Sequence, residues 1–341
     1  MTESPPDSTP LVSVVMSAYN DADCVGEAVA SIRGQTFADW ELIVVDDGST
    51  DRTGEVLADL ARKEPRLRIL TQANAGLTSA LIAGCEIAHG RHIARQDADD
   101  RSHPDRLARQ VALLESDPAL GFVSCFADYV APGGEYLYTV TRPECVAEAT
   151  DGLLNRRLGP PAHGTVMFRR DLYRSVGGYR AAFHFAQDCD LWLRLGERAQ
   201  LAYVPDRLYS AARSPESTSG AMRPIQARFG VLANACRAAR AAGESEEPTL
   251  REATALAAEV REMLAADAGP AAARLRATAR SRDQSRYLIG SQLASNRDRR
   301  AAHYLLPVLR RRPWMLKGWL RLLQSQLGGR VPQAAVGGRE Q

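Results

Sequence analysis

Residues 11–100 repeat one alternation, in which a short run of β-branched and other apolar residues is followed by a stretch with apolar residues at helical spacing. Runs of about five residues separated by helices of about a dozen are typical of βαβ units. The alternation therefore predicts an α/β protein with a mostly parallel sheet, right-handed crossovers and flanking helices. The predicted strands cover residues 11–16, 41–45, 67–70 and 92–94.

The composition changes along the chain and predicts three regions. Residues 1–10 are polar and contain proline, which predicts a mobile tail. Residues 11–222 hold the predicted sheet. Residues 1–222 carry a net charge of −9, whereas residues 223–341 are rich in Ala and Arg, carry +11 and are predicted to be helical. We expect a catalytic domain over residues 11–222 and a helical C-terminal region whose basic surface faces an anionic partner.

Several classes of protein are excluded by simple features of the sequence. A hydrophobic fraction of 45% with 25% charged residues excludes wholesale disorder. No apolar run reaches the roughly 18 residues of a membrane span, and residues 1–10 lack the basic and apolar parts of a secretory signal. The six cysteines are scattered without a CxxC pair, which is typical of reduced thiols. We therefore expect a cytoplasmic protein.

The strongest chemical signal is the segment Asp97-Ala98-Asp99-Asp100, which follows the fourth predicted strand. Three neighbouring carboxylates repel one another unless a cation or a donor-rich ligand compensates their charge. Carboxylate oxygens favour Mg²⁺ or Mn²⁺, often together with the phosphates of a substrate. The alternative is a solvated loop before a helix, with Ser102 as the helix N-cap.

A second acidic segment, Asp46-Asp47-Gly48-Ser49, follows the second predicted strand. In open α/β sheets, ligands bind beyond the carboxyl ends of the strands, where both acidic segments are expected to lie. A carboxylate there can accept hydrogen bonds from a base or a ribose, although a plain turn explains the segment equally well. Neither GxGxxG nor GxxxxGK[ST] occurs, so a dinucleotide fingerprint and a P-loop are unsupported.

Six motifs then occur in an order that resembles the family 2 inverting glycosyltransferases, which have the GT-A fold. The resemblance covers residues 11 to about 220. Its motifs are Val14-Val15-Met16-Ser17-Ala18-Tyr19-Asn20, Glu41-Leu42-Ile43-Val44-Val45-Asp46-Asp47-Gly48-Ser49, Asn74-Ala75-Gly76, Asp97-Ala98-Asp99-Asp100, His163-Gly164-Thr165-Val166-Met167-Phe168 and Gln187-Asp188-Cys189-Asp190-Leu191-Trp192.

The resemblance also implies roles for particular residues. Asp188 matches the general base of the family. The implied metal ligands are Asp100, Asp99 and His163, with Mg²⁺ or Mn²⁺ as the cofactor. The implied nucleotide-sugar-binding residues are Ser17, Tyr19, Asp47, Asn74, Asp97 and Asp99.

Two positions depart from the family pattern. Gln187 replaces the acidic residue that usually precedes the base, which leaves the base itself in place. A later family segment, Tyr-Arg with a His two residues on, reads Ala211-Ala212-Arg213-Ser214-Pro215 here, so the role of Arg213 stays open.

Asp190 competes with Asp188 as the base, and we favour Asp188 because the apolar residues that follow predict a helix with Asp190 on a different face.

The implied function is a metal-dependent inverting transfer of a sugar from a nucleoside-diphosphate donor to a hydroxyl of a glycan, lipid-linked or small-molecule acceptor. A UDP-sugar is the commonest donor of the family. Polysaccharide biosynthesis at a bacterial cell envelope is the expected setting, and no nucleic-acid partner is expected. The alternatives are a sugar nucleotidyltransferase with a GT-A-like fold, which requires a glycine-rich loop with a lysine, and a non-catalytic protein that binds anionic surfaces.

Residues 300–327 form a basic segment in which Leu316, Trp319, Leu320 and Leu323 recur at helical spacing. A basic amphipathic helix that contains tryptophan is typical of binding in the plane of an anionic membrane. A helix that packs on the catalytic domain with a solvated basic face has the same pattern. The sequence leaves both interpretations open, and the first places the protein at the inner face of the plasma membrane.

Overall fold

The computed structural model describes residues 9–215, 222–265 and 271–326. These residues belong to two compact units. The first comprises residues up to 127, 140–211 and 224–265, and the second comprises residues 128–139, 212–223 and those from 266 onwards. Residues 1–8 of the predicted tail and residue 327 of the predicted basic helix lie outside the described part of the chain.

Residues 12–97 alternate strands and helices as predicted, and further strands and helices follow up to residue 212. These elements are β1 (Val12–Ala18), α1 (Val25–Arg33), β2 (Trp40–Asp46), α2 (Thr53–Ala61), β3 (Leu67–Thr71), α3 (Leu77–Glu86), β4 (His92–Asp97), β5 (Arg101–Ser102), α4 (Arg106–Ser116), β6 (Leu120–Val130), β7 (Tyr136–Val140), α5 (Val146–Arg156), β8 (Met167–Arg169), α6 (Arg170–Ser175), α7 (Gln187–Gly196) and β9 (Gln200–Ala212).

The sheet has the strand order β3-β2-β1-β4-β8-β6-β9-β5, with β7 paired to β6. Strands β3, β2, β1 and β4 are mutually parallel, whereas β8 runs antiparallel to β4 and β6. The predicted mostly parallel α/β fold is therefore confirmed. The antiparallel strands come from the later part of the chain, where the sequence pattern is less regular.

The central strands are buried on both faces, which explains their unbroken runs of apolar residues. Val15 and Ile43 pack on one side of the sheet, and Val14 and Leu42 pack on the other. Because successive side chains of a strand point to opposite faces, each strand contributes to two separate parts of the core. The helices of the βαβ units cover both faces.

The described chain after residue 222 consists of helices joined by short turns and loops. Two of the helices, α8 (Arg223–Ala241) and α9 (Glu247–Ala265), contribute Phe229 and Leu256 to the core of the first unit. The second unit contains α10 (Ala271–Ser295), α11 (Ala301–Arg311) and α12 (Leu316–Gln326). None of the described helices is long and apolar enough to cross a membrane.

The alternative interpretation, in which Ser102 caps a helix, was wrong. Ser102 lies in strand β5, opposite Tyr209 of β9, and its hydroxyl donates a hydrogen bond of 2.6 Å to Gln96 Oε1. Helix α4 begins four residues later, and Asp105 at its N-cap forms no side-chain cap. The acidic turn is therefore followed by strand β5 and not directly by a helix. The capping alternative does not account for this segment.

Gly90 precedes β4 at a point where two backbone segments touch. A Cβ atom on Gly90 would lie 2.4 Å from Ser13 N and 2.7 Å from Val12 C, and backbone atoms cannot move aside as a flexible side chain can. We expect Gly90→Ala to lower the free energy of unfolding by about 1–3 kcal/mol, as over-packing typically does. Equilibrium denaturation with urea measures this change.

Gly26 in helix α1 provides the matched control, because a Cβ atom there would have no neighbour within 4 Å. Gly26→Ala is expected to keep or raise the stability, since alanine favours a helix over glycine by roughly 1 kcal/mol. A Gly90→Ala protein as stable as Gly26→Ala would contradict the close contact described here.

Candidate active site

The parallel register brings the carboxyl ends of three strands together. Ser17 in β1 pairs with Val45 in β2 and with Asp97 in β4, and Ala18 pairs with Asp46. The two acidic segments therefore flank the end of β1, although about fifty residues separate them in sequence. This edge of the sheet carries most of the residues that the sequence singled out.

The loop after β1 is locked to the loop after β2 by Asn20. Its backbone has a left-handed φ of 57°, which asparagine tolerates better than most residues. Its side-chain oxygen accepts a 2.8 Å hydrogen bond from Thr50 N, and its own N–H donates to Ser49 Oγ at 3.0 Å. The preceding Tyr19 is 47% exposed, so its ring is open to a ligand on this edge.

Asp47 has a structural task that the sequence did not reveal. Its buried carboxylate accepts hydrogen bonds from Gln72 Nε2 at 2.7 Å, Ala75 N at 2.9 Å and Gly76 N at 2.8 Å. These contacts fix the loop that carries the exposed Asn74. A carboxylate has about four lone-pair positions, so three of those of Asp47 are used within the protein.

The Asp97-Ala98-Asp99-Asp100 segment forms a turn in which Asp100 N donates to Asp97 O at 3.2 Å. Asp100 is buried, while Asp99 remains accessible to water. Loss of hydration, followed by the charges of Asp97 and Asp21, raises the pKa of Asp99 to about 7. The segment therefore holds more negative charge than its surroundings compensate.

Arg95 supplies positive charge beneath this turn, and the sequence analysis missed it. Its side chain is fully buried, and Nη2 lies 2.6 Å from Asp97 Oδ1. The same guanidinium donates to Val15 O at 2.5 Å and to His163 Nε2 at 3.4 Å. Since an arginine inside a strand shows no special pattern, only its contacts reveal that it connects β1, the acidic turn and His163.

His163 lies in an aromatic environment at the start of a short 3-10 turn. Its Nε2 is 2.6 Å from Tyr179 Oη, and its ring contacts Trp192 edge to face at 5.8 Å. Lost hydration and the charge of Arg95 hold the pKa of His163 well below its ordinary value, so the ring is neutral. A metal ion at His163 would have to use Nδ1 or compete for the Nε2 lone pair.

Asp188 and Asp190 differ sharply in their surroundings. Asp190 is fully buried between two arginines, with ion pairs of 3.0 Å to Arg180 and 2.6 Å to Arg194. Asp188 is only partly buried, and Cys189 N donates to its Oδ1 at 2.8 Å. The surroundings of Asp190 are those of a structural ion pair, which leaves Asp188 as the carboxylate open to chemistry.

Electrostatics connect Asp188 to the acidic turn. Burial raises the pKa of Asp188, and the negative charge of Asp97 raises it further, because like charges at short range disfavour ionisation. A raised pKa makes a carboxylate a better base toward a hydroxyl group. Helix α7, which carries Asp188, also packs Trp192 against His163. His163 in turn contacts Arg95, the ion-pair partner of Asp97.

The carboxylates of the acidic turn and His163 make this site a candidate metal centre. Among the described residues, no three His, Cys, Asp or Glu side chains are arranged to share an ion. The donor set nevertheless fits a hard divalent cation, since Asp99 and Asp100 offer carboxylate oxygens where negative charge is in excess. The predicted ligands Asp99, Asp100 and His163 stay a prediction.

The chain is similar in sequence to known glycosyltransferases. The family "Glycosyl transferase family 2" matches residues 13–177. Putative glycosyltransferase EpsE of Bacillus subtilis (strain 168) is 34% identical over 220 residues, which cover 62% of this chain and 76% of EpsE. Several other relatives are longer proteins, of which the chain covers about a quarter or less.

Two solved structures share the fold. The crystal structure of S. aureus TarS 1–349 in complex with UDP-GlcNAc aligns with a TM-score of 0.53 and 18% identity over 92% of this chain and 88% of that one. The mannosyltransferase PcManGT from Pyrobaculum calidifontis, in complex with GDP-Man and Mn²⁺, aligns with a TM-score of 0.53 and 23% identity. The alignment covers 94% of this chain and 87% of that one. The site described above therefore lies in an enzyme of the inverting glycosyltransferase class with the GT-A fold. The chain belongs to glycosyl transferase family 2, as its motifs indicated.

The raised pKa of Asp99 predicts a pH dependence of stability. In the unfolded chain this carboxyl titrates near 3.8, whereas in the folded protein it holds its proton up to about pH 7. The folded state therefore binds more protons between these values, so the contribution of Asp99 to stability is lost as the pH rises. Asp99→Asn removes this loss, and we expect the variant to gain stability relative to the parent as the pH rises from about 4 to about 8.

Denaturation with urea in the presence of a chelator, at several pH values, measures the difference. Asp23→Asn is the control, because Asp23 is an exposed carboxylate just before helix α1. A stability difference between Asp99→Asn and the parent that stays constant with pH would contradict the assignment.

Proposed function

We propose that this enzyme transfers a sugar from a nucleoside-diphosphate donor to an acceptor hydroxyl by a single displacement with inversion. One observation carries the proposal. The register that sets Ser17 between Val45 and Asp97 supports it, because the acidic turn then follows the carboxyl end of β4, and the charge of Asp97 acts on the partly buried Asp188. A parallel α/β sheet binds its ligands at that edge.

The donor is proposed to lie across the ends of β1, β2 and β4. Ser17, Tyr19, Asp47 and Asn74 would line the nucleotide side, where Asp47 has about one lone-pair position left for the N–H of a base. Asp97 and Asp99 would face the ribose and the diphosphate. A UDP-sugar is the donor that we propose to test first.

A divalent cation, Mg²⁺ or Mn²⁺, is proposed to accompany the diphosphate. Asp99 and Asp100 would hold it, with His163 beside it. When bound, such an ion compensates the negative charge that develops on the departing nucleoside diphosphate. The excess negative charge that raises the pKa of Asp99 supports this arrangement, because a cation relieves it.

The proposed chemical step has one base and no covalent intermediate. The acceptor oxygen bonds to the anomeric carbon as the bond from that carbon to the diphosphate oxygen breaks, through an oxocarbenium-like transition state. Asp188 takes the proton of the acceptor hydroxyl. Because a carboxylate is a weak base for an alcohol, the proton moves late, when the new bond has acidified the hydroxyl.

The acceptor is proposed to be a hydroxyl of a glycan, a lipid-linked sugar or a small molecule. Burial of Trp192 and Tyr179 against His163 gives this part of the site an aromatic wall. Aromatic faces pack well against sugar rings, but both of these rings are also part of the core. The acceptor therefore has to be identified by experiment.

Release of nucleoside diphosphate from a panel of donor sugars tests the function directly. We expect turnover with one donor, its loss after treatment with a chelator, and recovery when Mn²⁺ or Mg²⁺ is added back. Mass spectrometry of the acceptor and the anomeric configuration of the product complete the assay. Full turnover in the chelated enzyme would contradict the metal proposal, and formation of a new nucleotide-sugar with release of pyrophosphate would identify a nucleotidyltransferase.

Substitution of Asp188 tests the assignment of the base. Asp188→Asn keeps the shape of the side chain but removes its basicity, so we expect kcat to fall by about 10²–10⁴-fold while the Kd of the donor stays unchanged. The matched control is Asp171→Asn, an exposed aspartate in the first turn of helix α6, which should keep full activity.

Asp190→Asn separates the structural carboxylate from the catalytic one. Loss of its charge leaves the buried Arg194 without its 2.6 Å partner, so we expect the free energy of unfolding to fall by about 3–5 kcal/mol. Asp188→Asn should not lower the free energy of unfolding in this way.

Full activity in Asp188→Asn would exclude Asp188 as the base.

A further inference from the structure

Helix α12 packs with its small residues inward. Gly318 and Ser325 are the residues it buries, and a Cβ atom on Gly318 would lie 2.6 Å from Leu309 Cδ2 of helix α11. A Cβ atom at position 318 would therefore require the Leu309 side chain to shift, whereas glycine lets the two helices approach without that shift. Leu322 packs beside this contact, and the other large apolar residues of α12 are exposed.

The opposite side of α12 carries an exposed apolar stripe. Trp314, just before the helix, is 73% exposed, and Leu316, Leu320 and Leu323 are 75%, 64% and 60% exposed, with Trp319 beside them. Spacings of three and four residues place the four side chains that belong to the helix on one face, and Trp314 is exposed just before it. Single exposed apolar residues are ordinary, but four on one helical face mark a binding surface.

The segment that carries the stripe is strongly basic. Residues 299–326 contain seven Lys and Arg residues and no Asp or Glu. Arg310 and Lys317 are exposed on either side of Trp314. Arg311 forms a 2.9 Å ion pair with Asp283 of helix α10, so part of the charge holds the helices together while the rest is available at the surface.

We infer that this stripe binds the surface of an anionic lipid membrane, with α12 lying in the plane of the interface. Exposed leucines and tryptophans would enter the boundary between headgroups and acyl chains, while Arg310 and Lys317 would contact anionic headgroups. This inference goes beyond the proposed function, and it would bring the enzyme to a lipid-linked acceptor.

The charge distribution favours a membrane over a second copy of the chain. A symmetric dimer through the stripe would place two basic segments against each other, without any acidic residue in either to compensate. A nucleic acid would satisfy the arginines, but it offers no apolar medium for three exposed leucines. An anionic membrane satisfies the apolar and the basic side chains together.

Flotation of the full-length protein with vesicles tests the inference. The probes are vesicles of phosphatidylcholine alone and of phosphatidylcholine with phosphatidylglycerol. We expect the protein to float with the anionic vesicles and to partition at least tenfold less onto the neutral ones, because each Lys or Arg near an anionic surface contributes about fivefold. Added salt should weaken the binding, because it screens exposed charges.

The triple variant Leu316→Ser, Leu320→Ser and Leu323→Ser removes most of the stripe. All three side chains are exposed, so the fold should be kept, and partition onto anionic vesicles should fall at least tenfold. Val231→Ser is the matched control, because Val231 is a 59% exposed apolar residue on helix α8 of the first unit. Circular dichroism and turnover with a soluble acceptor check that each variant is folded.

Tryptophan fluorescence gives an independent measurement. Trp40 and Trp192 are buried, so a blue shift on addition of anionic vesicles reports on Trp314 and Trp319. That shift, together with flotation that depends on the leucines, supports the inference. Absence of flotation, equal flotation of the triple variant, or vesicle-free self-association that the triple variant abolishes would each overturn it.

Discussion

The pairing of β1 with β2 on one side and with β4 on the other is the constraint on which the candidate site depends. This register sets Ser17 between Val45 and Asp97, and it sets Ala18 beside Asp46. A shift of one residue would turn every side chain to the opposite face, so burial on both faces fixes the pairing strongly. The loops that follow these strands inherit their positions from it, and Asn20 then ties two of them together.

The electrostatic balance of the site follows from this arrangement. Arg95 is buried below the acidic turn and compensates Asp97, but loss of hydration and the charges that remain still raise the pKa of Asp99 and of Asp188. The protein thus maintains an excess of negative charge where the proposed diphosphate and cation would bind. Such a site is costly in the free protein, since its like charges repel, and binding of a cation relieves the cost.

Several site residues were predictable and others were not, for physical reasons. The acidic segments lie at the carboxyl ends of strands, where a cluster of carboxylates has few structural explanations. Asp97 and Asp99 could therefore be predicted as site residues. Arg95 lies inside a strand and looks like any other arginine. The tasks of Asp47 and of Ser102 were also hidden, since hydrogen bonds to Gly76 and to Gln96 depend on segments that meet only in the folded protein.

The sequence by itself determined the order of the first four strands and their helices, the parallel part of the sheet and its acidic edge, because these follow from periodicity and from residues close together along the chain. It also determined that α12 is amphipathic. Only the tertiary structure decided that Asp190 serves an ion pair while Asp188 stays open, and that α12 buries Gly318 and exposes three of its four leucines. A pattern fixes which residues share a face, whereas the neighbours that pack against the element decide which face is buried.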